Sequence, residues 1–252
     1  MSSRPDLRLD WCSHAAAKYA VEHWHYSKRL PSGKLTRIGA WEGGDFIGCV
    51  LFGRGNNNNM AQRYGLPQTE AAELTRVALT NHVAPTSRIV ARAVHLLRRF
   101  SPGLRLLVSY ADPDQGHHGG IYQAMNWVYV GSSVPQRELL VAGHWMHKRS
   151  ASAKWGTAAP QRIRELTGLD VSYGPEAWKH TYLYPLDDAM RKQIAPLAKP
   201  YPKRGRGETD NAPQPNAESG GASPTRPLLA PTEATLPLPN SPPNPSLPPY
   251  AT

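Results

Sequence analysis

Cysteine is almost missing from this chain. Cys12 and Cys49 are its only two, and no CxxC spacing joins them, so neither a disulfide framework nor a cysteine zinc site is expected. Long apolar runs are missing as well. No stretch near 18 residues is hydrophobic enough to cross a bilayer, and no charged, apolar and small-residue leader opens the chain. A cytoplasmic location with no membrane partner is the simplest expectation. Acidic residues are in short supply: 19 Asp and Glu stand against 29 Lys and Arg, a formal charge of +10. From Glu208 onward the balance reverses, with Glu208, Asp210, Glu218 and Glu233 against Arg226 alone, so the region before it is more basic than the whole. A basic globular region selects anionic partners, and nucleic acid is the commonest of these.

The 252 residues allow one large domain or two small ones. Composition favours one. Residues 1–200 alternate apolar and polar segments as an ordered domain does. Residues 201–252 take in most of the basic linker KPYPKRGRG (199–207) and end in LPLPNSPPNPSLPPYAT, which has no periodic apolar face. That tail is expected to be disordered or locally polyproline II, either as a solubilising segment or as a docking peptide.

Within the ordered region the elements read as mixed α/β. LRLDWC (7–12) is a strand, and SHAAAKYAVEHWHY (13–26) a helix capped by Ser13. LTRIGAWEGGDFIGCVLFG (35–53) is a hairpin turning at Gly43-Gly44. GRGNNNNMAQRYGLPQ is a polar loop and AELTRVALT (72–80) a strand. PTSRIVARAVHLLRRF (85–100) is a helix whose Ile89, Ala93, Leu96, Leu97 and Phe100 form an apolar face. LRLLVSY is a buried strand, GGIYQAM a short helix, WVYVGS a strand, and RELLVAGHWMH (137–147) one further strand. The order β-α-β-β-β-α-β-α-β-β predicts one sheet with helices on both faces. His144 and His147 have the spacing of a helical metal pair but fall in a strand reading, where positions i and i+3 face opposite ways.

This order resembles the GCN5-related N-acetyltransferase fold, whose closing strand–helix–Asn–x–x–Tyr–x–Gly unit looks like IYQAMNWVYVG here. The resemblance implies a central mixed sheet flanked by helices, with a cofactor pyrophosphate held at a helix N-terminus. The equivalent loop is Asn81 to Ile89, which contains Ser87. No glycine stands between Asn81 and Arg88, and Pro85 removes a donor. Ordinary acetyl-CoA binding is therefore at odds with this loop.

HWHYSKRLPSGK (23–34), the WEGGDFIGCVLFG hairpin, AELTRVAL and YADPDQGHHGGIYQAMNW (110–127) together resemble, in that order, the phage Mom family of DNA-modifying proteins. The resemblance covers roughly residues 7–150 and fades beyond Ser150. It implies transfer of a carbamoylmethyl group to adenine N6 in double-stranded phage DNA, as protection from host restriction. Family residues carry over onto Tyr26, Asp112 and Tyr122. It implies iron as a cofactor, for which Asp112, Tyr26 and His25 are the candidate ligands. The donor stays open between acetyl-CoA and another activated carrier, host-supplied or not, and the oligomeric state is unread. A conventional N-acetyltransferase and a non-catalytic DNA-binding protein on the same fold are the rival readings.

The chemistry assigns roles to the candidates. An adenine amine must be flipped out of the stack, held against aromatics, and relieved of a proton. Asp112, where a buried strand ends, suits a base, a metal ligand or an N6 acceptor; an Asx-turn ahead of Pro113 accounts for it equally. His25, Tyr26 and Ser27 form a polar loop at a helix end. Tyr122 opens the following helix, either as a proton donor or as core. Gly116, His117 and Gly119 suit a close backbone approach to a donor or phosphate. Only one of His117 and His118 can face a metal, since adjacent side chains diverge. Lys28, Arg29, Lys34, Arg54 and Arg63 are candidate DNA contacts, with Asn56 to Asn59 as candidates for adenine edges. Glu73 and Arg76 read as part of an ordinary half-buried strand.

Overall fold

Alternation and turn chemistry carry the first half of the chain into the expected order. The computed structural model describes residues 6–55 and 59–203. The Pro-rich tail and Asn56 to Asn58 lie outside them. Strand β1 (Leu7–Trp11) leads to helix α1 (His14–Trp24), where Ser13 Oγ accepts from Ala16 N at 3.1 Å as the predicted cap. Small residues at Ala17 and Ala20, with Val21, let α1 close onto Cys49, Leu51 and Ala78 of the sheet. Strands β2 (Leu35–Glu42) and β3 (Asp45–Gly53) are joined by Gly43 and Gly44 at φ 62° and 97°. Both values are positive, as a two-residue hairpin turn requires, and glycine adopts them without strain.

Strand β4 (Ala71–Leu79), helix α2 (Thr86–Phe100), strand β5 (Leu106–Ala111), helix α3 (Gly120–Gln123) and strand β6 (Val128–Ser132) follow. Ile89, Val90, Ala93, Val94 and Leu97 are the buried face of α2. Phe100, expected on that face, is instead 55% exposed, its ring edge-on to Trp11 at 5.2 Å. The helix ends there, three residues past Leu97, its last buried residue. The loop read as polar also contributes to the core: Met60, Ala61 and Leu66 are buried beneath it.

Beyond residue 132 the structure departs from the sequence reading. RELLVAGHWMH is not one strand but a hairpin, β7 (Gln136–Val141) and β8 (His144–Met146), turning at Ala142 and Gly143 with φ 47° and 80°. His147 lies outside the strand, its Nδ1 accepting from Arg149 N at the start of helix α4 (Lys148–Trp155). Helix α5 (Pro160–Thr167) and strand β9 (Val171–Ala177) complete a second three-stranded sheet, ordered β8-β7-β9, with its own core of Leu139, Val141, Ala151, Ile163 and Val171. The expected single sheet is thus two.

Strand β10 (His180–Pro185) then returns to the main sheet, and helix α6 (Asp188–Ile194) covers it. The main sheet is ordered β1-β2-β3-β4-β5-β10-β6, antiparallel except for β4 against β5. β10 lies between β5 and β6, so the strand latest in the chain separates two that are near neighbours in sequence. The alternation of β5 sends Leu107 and Ala111 to the cluster under α2, and Leu106 and Val108 to the cluster under α6. Residues of β10 divide likewise, Tyr182 to the first and Leu183 to the second.

Leu183 is fully buried at this central position. Leu183→Ala is expected to cost about 2–5 kcal/mol, the range for a cavity in a packed core. Urea unfolding checks it; a loss under about 1 kcal/mol would place β10 at an edge.

Candidate active site

The site begins where two parallel strands part. β4 and β5 pair from Ala71↔Leu106 to Leu74↔Ser109 and no further. Past that point β4 runs on to Leu79 paired with β3, and β5 runs on to Ala111 paired with β10. The β3–β4 register shifts where Leu51 faces Arg76 and Phe52 faces Leu74, which leaves Thr75 as an extra residue. Such a bulge bends and twists its strand. The two strands diverge, and Ser109 Oγ reaches the Leu74 carbonyl, 3.0 Å away, at the last rung.

α1 delivers three residues to this opening from its C-terminus. His25 caps the helix through its own N–H to the Val21 carbonyl. Its Nδ1 accepts from Ser27 N at 3.1 Å, with Ser27 Oγ 2.8 Å away. A backbone N–H only donates, so Nδ1 is the bare nitrogen and Nε2 carries the hydrogen. Burial, followed by the charges of Arg76, His117, Lys28 and Lys179, pushes the pKa of His25 down to about 3. The imidazole is neutral throughout the physiological range. Ser27 Oγ also accepts from Arg76 Nε at 3.1 Å, which ties the helix end to the bulged segment of β4.

Tyr26 is half-buried, its ring 4.3 Å from that of His25 and 5.7 Å from that of His117. Burial raises its phenol above the usual range; Asp112 reinforces this, while Lys179 and Arg76 oppose it. The hydroxyl therefore keeps its proton and can donate. Asp112 follows β5 and holds two partners. Oδ1 accepts from Asp114 N at 3.2 Å, and Lys179 Nζ lies 3.2 Å from Oδ2. The Asx-turn, one of the two alternatives in the sequence, is present, and the second carboxylate oxygen faces Lys179.

Tyr122 is placed differently. It is buried in the cluster under α2, its ring 5.0 Å from Trp127 and 5.1 Å from Tyr182. Its hydroxyl lies 2.7 Å from Ser109 Oγ, and burial raises its pKa. It holds the strand junction from behind. Gly119, at φ 88°, has a structural reason of its own: a Cβ there would fall 2.3 Å from the Tyr182 ring. Gly116, at φ 70°, has open space around it. His117 faces Tyr26, while the His118 carbonyl accepts from the Tyr182 hydroxyl.

Ser87 sits in the first turn of α2, and the loop before it is already furnished with an anion. The Glu42 carboxylate accepts from Val83 N at 2.7 Å and from Ala84 N at 2.8 Å. His82 bridges the Thr80 carbonyl and Thr86 Oγ1, at 2.6 and 3.1 Å. A pyrophosphate on those two amides would have to displace a carboxylate of like charge, so this loop does not fit a donor held in the usual acetyltransferase manner. The metal candidates fit poorly too. Lys179 occupies Asp112 Oδ2, the Ser27 amide occupies His25 Nδ1, and no three His, Cys, Asp or Glu side chains among the described residues form a metal set.

Of the candidate DNA contacts, Lys28 is folded back, with Nζ donating to the His23 carbonyl at 2.8 Å. Arg29 and Lys34 are exposed on the connection between α1 and β2, and Arg54 and Arg63 on that between β3 and β4. Sequence reasoning missed Lys179 and passed over Arg76. Arg76 left one signal, a polar residue out of step with Leu74 and Val77. Lys179 left none beyond preceding the apolar run HTYLYP.

The Mom protein family model matches residues 6–203, most of the chain and the whole of the site just described. The chain belongs to the Mom protein family. The match runs well past Ser150, where the resemblance read from sequence fades, and it takes in β10 and Lys179. Among curated proteins the chain is similar to "Methylcarbamoylase mom" of Escherichia phage Mu, 28% identical over 152 residues, covering 59% of this chain and 63% of that protein. The chain therefore spans under two thirds of that relative's length. A solved structure named "Putative Acetyltransferase", from Acinetobacter baylyi ADP1, aligns with 80% of this chain and 100% of its own at 12% identity and a TM-score of 0.43. At that score the likeness adds nothing to the topology above.

A buried histidine whose folded pKa is depressed is fully stabilising above its unfolded value and loses that contribution as pH falls. Between about pH 6.5 and 3, His25 should steepen acid destabilisation by up to about 1.4 kcal/mol per pH unit. Urea midpoints for wild type and His25→Asn across pH 4–7 check this, the variant showing the shallower slope. Gly119→Ala combines a positive φ with a clash on Tyr182, and is expected to cost about 2–4 kcal/mol. Gly116→Ala, with φ alone against it, should cost about 1–2 kcal/mol, measured in the same way.

Proposed function

We infer that this chain is a transferase that places an N6-carbamoylmethyl group on adenine in double-stranded phage DNA, shielding that DNA from restriction nucleases. Membership of the Mom family supports the class of activity. The observation that carries the reading to particular residues is the convergence of Tyr26 and Asp112. One comes from the end of α1 and the other from the end of β5, and the Asp112 carboxylate helps to raise the Tyr26 phenol above its ordinary range.

An adenine amine is a poor nucleophile while its lone pair is delocalised, and it is out of reach inside a stacked duplex. The target base is flipped into the cleft, where the rings of Tyr26 and His117 offer aromatic contact. The Asp112 carboxylate accepts a hydrogen bond from the N6 amine. As the new N6–C bond forms, the amine proton passes to Asp112 and the donor's leaving group departs with the electrons of its bond. Tyr26, kept protonated by burial, donates to developing negative charge on the donor or leaving group. His25 stays neutral and positions Ser27, and through it Arg76. Tyr122 and Ser109 secure the strand junction from below. The exposed Arg29, Lys34, Arg54 and Arg63 serve the phosphate backbone.

The test is direct. The full chain is expressed in bacteria carrying a plasmid, the plasmid is digested to nucleosides, and deoxyadenosine is examined by mass spectrometry. A species heavier by a carbamoylmethyl group is expected with wild type. It should fall at least about a hundredfold with Asp112→Ala and about tenfold or more with Tyr26→Phe. Modification that survives Asp112→Ala intact would remove Asp112 from the mechanism. Unmodified DNA that nevertheless binds the soluble protein would favour a non-catalytic binding protein.

A further inference from the structure

We propose that Lys179 is a positioning residue of this site, setting the Asp112 carboxylate in the orientation in which it receives the N6 proton. The proposal rests on the transferase reading above and extends it to a residue on the strand that arrives last.

Position comes first. β10 pairs with β5 in the register His180↔Ala111, so one step further along the ladder sets Lys179 opposite Asp112. Facing residues on neighbouring antiparallel strands stand close enough for their side chains to meet. Nζ lies 3.2 Å from Oδ2. The other carboxylate oxygen, Oδ1, is held by the Asp114 amide. With one partner on each oxygen, the carboxylate plane has a defined setting, and its remaining lone pairs are left for a ligand. If Lys179 is removed, a single backbone contact remains and the group is free to swing.

The lysine's own backbone is fixed. Lys179 N donates to Ser133 Oγ at 3.0 Å, and Ser133 N donates to the Lys179 carbonyl at 2.7 Å. These two bonds close the neck through which the chain leaves β6 for the small second sheet and returns to β10. The ammonium is thus presented from an anchored point, and its charge is also felt at Tyr26 and His25.

Stability does not account for the pair. The Lys179 side chain is 45% exposed, and Asp112 17%. Ion pairs with a partner so open to water contribute little, about 0–1 kcal/mol, since solvent and salt screen them. The local turn is already held by the Asp114 amide. What the pair alters is the geometry of a partly exposed carboxylate whose charge reaches Tyr26, and misplacing a catalytic group by about an ångström costs about tenfold to a hundredfold in rate.

The experiment compares full-length wild type, Lys179→Met and Lys179→Arg by three readouts: carbamoylmethyl-deoxyadenosine from plasmid DNA, the thermal midpoint, and affinity for duplex DNA across a salt series. The expected result for Lys179→Met is a fall in modification of about tenfold or more, with the midpoint and the salt-dependent affinity unchanged. Lys179→Arg restores most of the modification, because a cation of similar reach returns to Oδ2. Wild-type modification in Lys179→Met overturns the proposal while leaving the transferase reading standing. A loss that tracks a lowered midpoint or a shallower salt slope overturns it in favour of a structural role or a backbone contact. DNA left unmodified by wild type sinks the transferase reading itself and this proposal with it.

Discussion

The site depends on a parallel pairing that stops short. β4 and β5 share their ladder only as far as Leu74 and Ser109. From there each strand keeps one neighbour, β3 on one side and β10 on the other, and the backbone groups between them turn to side chains. Ser109 answers the Leu74 carbonyl, and the Tyr122 hydroxyl lies against Ser109 in turn. Without the bulge at Thr75 the two strands would continue to zip, setting Arg76 against Ala111 and Val77 against Asp112 across an ordinary sheet.

Opposed charge and burial then give the groups around that opening distinct states. His25 is held neutral by burial and by cations nearby. Tyr26 is held protonated by burial. Asp112 sits between a backbone amide and an ammonium. A donor, an acceptor and a cation therefore stand at one opening, the set that the proposed proton removal from a weak amine nucleophile calls for. The same logic turns the Asn81–Ile89 loop away from the pyrophosphate role it has in acetyltransferases. Glu42 already holds two of its amides, in keeping with the absence of glycine and the presence of Pro85 there.

Much of the scaffold was legible in the residues. The Gly43-Gly44 turn, the Ser13 cap, the apolar stripe of α2 and the run ending at Asp112 each rest on contacts within a few residues. His25, Tyr26, Ser27 and Asp112 were also readable as polar groups at element ends, where side chains face clefts. Tyr122 was readable as important and ambiguous in role, because a helix opening beside a site and a helix packing under it carry the same pattern. The reading failed after Ser132. There a hairpin passed for a strand, since Ala142-Gly143 is a weak turn signal inside an apolar run. Nothing local marked HTYLYP as a strand of the central sheet.

Local chemistry by itself determined the order of elements up to β6, the helix faces, the hairpin turn and the polar character of the segments that meet at the site, because propensity, periodicity and capping act over a few residues. Only the tertiary structure decided that β10 enters between β5 and β6, that Lys179 stands across from Asp112, and that Arg76 reaches the end of α1. Those contacts join residues 48 and more positions apart, from His180↔Ser132 upward. Strand pairing at that range is selected by which edges remain open once the rest of the sheet has formed, and no single segment encodes that choice.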